Sequence, residues 1–201
     1  TSRRIFQRML TYTLNKIIKT IQVALLLSLG FVFTRTFVIT PFLVVLLLFA
    51  NDFVTMSLAT DNVSYSSKPD RWRIASLVGA ALPLALIVLI ESFLVLYLAR
   101  SVFGLTFPQT QTLMFVMLVF SGQATVYLVR QRQHFWATRP SGWLAGATIL
   151  DLIVVTVLAS QGLLMAAVSL SYILIVLAIA VGFLLLMDPI KVYIFRRFGL
   201  A

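Results

Sequence analysis

Cysteine is absent from this chain of 201 residues, histidine occurs once, and only six residues are acidic. Without cysteine there is no disulfide frame and no thiolate metal site. The single histidine, His134, sits in the basic stretch RQRQHFWATRP with no carboxylate or thiol beside it. One such imidazole makes a poor metal site, so no metal is expected and His134 is read as a surface residue. Also missing are a Gly-rich phosphate loop, an H-E-x-x-H pair and a nucleophile elbow. The opening residues, TSRRIFQRM, are charged, lack a signal-peptide core and do not begin with Met, which gives the expectation of a piece of something longer.

Charge is scarce as well. Hydrophobic residues make up 61% of the chain and charged ones 11%, and the mean hydropathy is +1.03. Soluble domains carry about 25% charged residues, so an ordinary soluble core is excluded. The apolar residues fall in six blocks, 17–33, 37–58, 74–99, 109–129, 143–160 and 163–187. Blocks of about twenty residues match a hydrocarbon core of about 30 Å at 1.5 Å per helical residue. The expected fold is an all-α membrane protein, a six-transmembrane-helix bundle. A single helix over the first two blocks would be about 60 Å long, twice the bilayer, so Thr34-Arg35-Thr36 is expected to be a hairpin. Lys19 and Arg35 bracket the first block and are expected to snorkel towards opposite interfaces.

Arginine and lysine set the orientation. Fourteen of them fall before or at the start of the first block, between the second and third, between the fourth and fifth, or after the sixth; only Arg35 and Arg100 fall on the other side. The positive-inside rule then puts both termini in the cytosol. Residues 1–16 read as a cytosolic stalk helix, 17–187 as the membrane domain and 188–201 as a basic cytosolic tail. The net charge of +10 follows from this bias; the expected partner is membrane lipid, not nucleic acid. The acceptor pattern Asn62-Val63-Ser64 falls on the cytosolic side, where glycosylation does not occur.

Six acidic residues divide into two groups. Asp61 and Asp70 lie in the second cytosolic segment and Asp188 at the end of the last block, where water or headgroups reach them. Asp52, Glu91 and Asp151 lie inside blocks two, three and five, where an ionised carboxylate costs about 2.5–3.5 kcal/mol. Such a group needs a partner, a proton or an ion. For Glu91 and Asp151 two readings stand side by side: a neutral carboxyl hydrogen-bonded between helices, or a place on an ion path. Ser92 adjoins Glu91, and Pro83 two turns earlier frees the Gly79 carbonyl; Asp151 has only Thr148 on its own helix face. Asp52 has Asn51 adjacent and Thr55 three residues on, so NDFVT (51–55) is expected to leave the helix locally and turn oxygens towards a cation.

Two separated motifs carry a resemblance. SRRIFQRMLTYT (2–13), followed by NDFVTMSLATDNVSYSSKPDRW (51–72), resembles the fifth and sixth membrane helices and the following loop of P-type ATPases. The similarity is greatest to the plasma-membrane proton pumps, which carry IFQRM, then NDGT, then approximately D-x-V-x-x-S-x-x-P-D-x-W. Asp61, Val63, Ser66, Pro69, Asp70 and Trp72 supply that last pattern here. Residues match over 2–72, and the remaining four blocks match in number and orientation. The resemblance implies the fifth to tenth membrane helices of an ATP-driven cation pump, proton-exporting, in the plasma (inner) membrane. It implies that Asp52 binds the ion, with Asn51 beside it and Thr55, Gln22 and Lys19 as further candidates for the pathway or its counter-charge; Glu91 and Asp151 join these candidates as intramembrane carboxylates. Gln22 stands where plant proton pumps have a basic residue, and Phe53 where the family has glycine. Lys19, one turn before Gln22, either supplies the missing cation or snorkels.

The family's phosphorylated D-K-T-G-T and its GDGxND hinge are absent. The resemblance therefore implies that this chain binds no cofactor itself and hydrolyses no ATP alone. ATP and Mg2+ would act in the parent's phosphorylation, nucleotide-binding and actuator domains, with the first four membrane helices as further partners. Two other classes remain open on the residues alone: a six-span proton- or cation-coupled secondary transporter, against which stands the lack of an internal repeat, and a non-catalytic membrane scaffold.

Overall fold

An apolar run shielded from water can satisfy its backbone only within itself, and so it coils. The computed structural model describes residues 2–62 and 74–200. In it the runs form α1 (Ser2–Thr34), α2 (Pro41–Ser57), α3 (Ile74–Tyr97), α4 (Phe107–Val129), α5 (Gly142–Gln161) and α6 (Leu170–Arg197). All six are long and apolar enough to cross a membrane, and no strand occurs among the described residues. The chain is an all-α, multi-pass membrane protein. Of the loop motif, Val63, Ser66, Pro69, Asp70 and Trp72, together with Lys68, Arg71 and Arg73, lie outside the described residues.

Local chemistry sets where each helix stops. Arg35 adopts φ 57°, and the Thr34 hydroxyl returns to the Gly30 carbonyl at 2.7 Å, closing the hairpin at the expected place. The second block was read from residue 37, but helix begins at Pro41, because Thr40 accepts the Leu43 N–H at 3.2 Å and proline fits the first turn. The sixth was read from residue 163, yet helix resumes only at Leu170. Gly162 at φ 70° and Leu164 at φ 66° turn the chain back, and the Val168 N–H reaches the Ala159 carbonyl at 2.9 Å. At the end of α3 the ladder loosens into a π turn over Leu98–Val102.

The least apolar of the six spans is also the most buried. α4 touches every other helix, and it carries inward the hydroxyls and amides of Thr110, Gln111, Thr112, Ser121, Gln123 and Thr125. Its neighbours turn Phe42, Leu48, Ile90, Ile153 and Leu186 outward, as surfaces facing hydrocarbon require.

One end of the bundle gathers Arg8, Asp61, Arg130, Ser141 and Asp188. Asp61, expected in water, is fully buried: Arg130 grips it through Nε at 2.9 Å and Nη2 at 3.0 Å. The Ser141 N–H adds a bond at 3.0 Å, and Arg8 donates to the Asp61 carbonyl at 2.7 Å. Asp188 is likewise buried, against the same expectation, with Lys191 at 2.9 Å and the Phe135 N–H at 2.9 Å. His134 is at the surface, as expected, and its ring meets Asp188 at 2.5 Å. The segment joining α4 to α5 folds under the helix ends and brings partners from far along the chain. Replacing Arg130 with Met should cost about 3–5 kcal/mol by leaving Asp61 buried without a cation. Thermal unfolding in detergent checks this, with Arg130→Lys expected to fall between the two.

Candidate functional site

Asp52 projects from an unbroken helix. α2 continues through residues 51–57, so the local unwinding expected at NDFVT does not occur. The Thr55 hydroxyl back-bonds to the carbonyls of Asn51 at 2.9 Å and Asp52 at 3.1 Å, and Phe53, unlike glycine, gains nothing from unwinding. The Asp52 side chain is 57% exposed. Its partner is Lys16 of α1, whose ammonium lies 2.5 Å from the carboxylate and 5.5 Å from the centre of the Tyr12 ring. The groove beside this pair is lined by Met9, Tyr12, Thr13, Thr55 and Met56.

Asn51, one residue earlier and about 100° round the helix, turns the other way. A side chain at Gly122 of α4 would meet Asn51 Oδ1 at 2.5 Å and Lys19 Nζ at 2.9 Å. Asn51, Lys19 and the bare backbone of Gly122 therefore converge inside the bundle. Lys19 does not snorkel: it is buried, donating to the Leu118 carbonyl at 2.6 Å and to Gln22 Oε1 at 3.4 Å. Lysine keeps a buried position only where oxygen surrounds its ammonium, and α4 passes close enough to offer a carbonyl because Gly122 has no side chain.

From Lys19 a polar chain crosses the bundle. Gln22 donates to Ser92 Oγ at 2.9 Å and more distantly to Ser121 Oγ at 3.4 Å. Ser121 donates to Glu91 Oε2 at 3.0 Å. Two residues along α4 and on another side, Gln123 donates to Asp151 at 2.5 Å, Thr148 to Gln123 at 3.4 Å and Tyr127 to Thr148 at 3.1 Å. Of the candidates read from sequence, Lys19, Gln22, Asn51 and Glu91 come together; Asp52 and Thr55 lie on the outer side with Lys16, and Asp151 forms its own group. Among the described residues no three His, Cys, Asp or Glu side chains converge. Sequence reading missed Lys16, Ser121 and Gln123 as partners. The polar SGQAT (121–125) inside an apolar run was the signal for two of them.

If Gly122 exists to admit Lys19 and Asn51, Gly122→Ala should destabilise the protein by about 1–3 kcal/mol through overpacking. Gly182→Ala, inside α6 where an added Cβ meets nothing within 4 Å, should not lower the unfolding temperature and should raise it slightly through helix propensity.

No family model matches the chain. It is 30% identical over 197 residues to a protein of Methanocaldococcus jannaschii assigned as a cation-transporting ATPase, covering 98% of this chain and 24% of that relative. It is 28% identical over 165 residues to a plasma membrane ATPase of Saccharomyces cerevisiae, covering 81% of this chain and 18% of the relative. A plasma membrane ATPase of Neurospora crassa is 26% identical over 155 residues, 75% of this chain and 17% of its own. The chain thus spans a quarter or less of the length of these relatives. With these relatives and six apolar helices that fit the family's C-terminal membrane region, the chain is a homologue of the P-type cation-transporting ATPases.

Proposed function

We propose that this chain is the ion-pathway portion of an ATP-driven cation pump that exports protons, with Asp52 as the ion-binding carboxylate. The observation that carries the reading is the Lys16–Asp52 pair, joining α1 to α2 at 2.5 Å within apolar spans. A carboxylate in that position requires a positive partner, and here the partner belongs to the protein itself. While Lys16 occupies Asp52, no second cation is needed there. When α1 withdraws Lys16, a proton or monovalent cation takes its place; when α1 returns, the ion is displaced. A lone carboxylate with few oxygens around it suits a proton or monovalent ion better than a divalent one, which takes six or more oxygen ligands.

α1 is suited to deliver the movement. It runs unbroken for 33 residues, about 50 Å at 1.5 Å per residue, well beyond the hydrocarbon thickness. In this reading its basic first turns face the cytosol, as do both termini by the positive-inside rule, and the membrane is the plasma membrane. ATP and Mg2+ act in cytosolic domains of the whole protein, and the first four membrane helices cover the outward face of the Asp52–Lys16 pair. The names of the relatives, a cation-transporting ATPase and plasma membrane ATPases, support this assignment.

In the full-length protein, Asp52→Asn should lower ion-stimulated ATP turnover and transport by about tenfold or more, equivalent to about 1.4 kcal/mol or more in the barrier. Lys16→Gln should retain ion binding but impair release. Unchanged transport in Asp52→Asn would exclude Asp52 as the ion site.

A further inference from the structure

Among the described residues, two buried side-chain oxygens receive no hydrogen bond from the protein, Asn15 Oδ1 and Glu91 Oε1. Glu91 lines a small cavity. That cavity lies between α3, α4 and α6, walled by Ser121 and Thr125 on one side and by Ala180, Phe183, Leu184 and Met187 on the other. Its free space is that of about one water molecule.

The donors around the cavity are already committed. The Ser121 hydroxyl goes to Glu91 Oε2 at 3.0 Å, and the Thr125 hydroxyl to the Ser121 carbonyl at 2.8 Å. The α6 wall offers only carbon and the Met187 sulfur. Oε1 therefore has two ways to be satisfied: a proton of its own, or a water beside it. The charged groups that bear on it are few. α1 presents Lys19, linked to it through Gln22 and Ser121. α6 presents Asp188 and Lys191 just past Met187, tied to each other at 2.9 Å. α4 presents none beside the cavity, and Asp52 is on the outer face with Lys16.

We propose that Glu91 is a second, exchangeable proton site, holding one water in the chamber between α3, α4 and α6 and separate from Asp52. This deepens the reading of the chain as a proton pathway and rests on it. The step is a plain proton transfer: an incoming hydronium gives its proton to Glu91 Oε1, an O–H bond forms there as one breaks on the hydronium, and a neutral water stays in the chamber. No electrons change hands. Lys19 neutralises the cluster when the proton leaves, so the buried group passes between zero and one net positive charge. A metal ion is disfavoured, because the chamber offers fewer oxygens than a hard cation takes and space for only one water.

The test is infrared difference spectroscopy of the full chain in lipid bilayers, in H2O and D2O, between about pH 5 and pH 10, a range wide enough for a shifted carboxyl. The expected result is a carboxylic-acid C=O band that is lost as pH rises, shifts in D2O, disappears in Glu91→Gln and survives in Asp52→Asn. Ser121→Ala, which leaves the carboxyl in place and removes its one donor, should shift the band in frequency, and it serves should Glu91→Gln fail to fold. A Glu91 band insensitive to both pH and D2O would mark a fixed structural proton and overturn the proposal. So would the absence of any Glu91 band, which would mean a carboxylate permanently ionised against Lys19. Because the spectra are taken without ATP, they stand or fall independently of the Asp52→Asn transport result.

Discussion

A lysine ammonium removed from water must be surrounded by oxygen, and the packing of α1, α3 and α4 is arranged around that demand. Lys19 takes the Leu118 carbonyl, which an α-helix normally keeps for its own ladder. It takes the Gln22 side chain from its own helix. Access to the Leu118 carbonyl depends on a helix that lacks a Cβ at Gly122. Gln22 in turn is held by Ser92 and Ser121, and Ser121 holds Glu91. Remove the ammonium and each of these contacts loses its reason. The central position of α4 follows from the same constraint: a span carrying serine, threonine and glutamine on several sides is tolerated only with protein on all of those sides.

The opposing arrangement of Asn51 and Asp52 shows how a helix separates neighbours in sequence. One looks into the polar interior and the other out of the described bundle, so two adjacent residues serve two different environments. The Asp52–Lys16 pair lies among exposed Phe49, Phe53 and Met56, a surface that hydrocarbon alone would solvate badly wherever the charges stand.

Six helices were legible because length and apolarity alone decide whether a segment spans a bilayer. The hairpin was legible because a continuous helix would have been too long. What length cannot report is facing. Lys19 was expected at an interface because it sits near the start of an apolar block; its burial depends on Leu118, Gln22 and Gly122, the first and last about a hundred positions away. Asp61 and Asp188 looked solvent-exposed for the same reason, since Arg130 and the His134 segment reach them only after folding. The late start of α6 was hidden too: Leu163, Leu164 and Met165 are apolar, and the reversal there depends on positive φ values that hydropathy does not encode. Glu91 and Asp151 were legible as buried carboxylates, but their donors Ser121 and Gln123 required knowing which helix lies between them.

Lys16 and Lys19 are three residues apart on one rigid rod. In an α-helix that interval is a rise of about 4.5 Å and a turn of about 300°, or 60° in the reverse sense. A screw displacement of α1 by that amount carries one ammonium onto the former place of the other. Because α1 is continuous through both residues, any rigid displacement of that helix moves the ammonium at the outer carboxylate and the ammonium at the inner chain of amides and hydroxyls together.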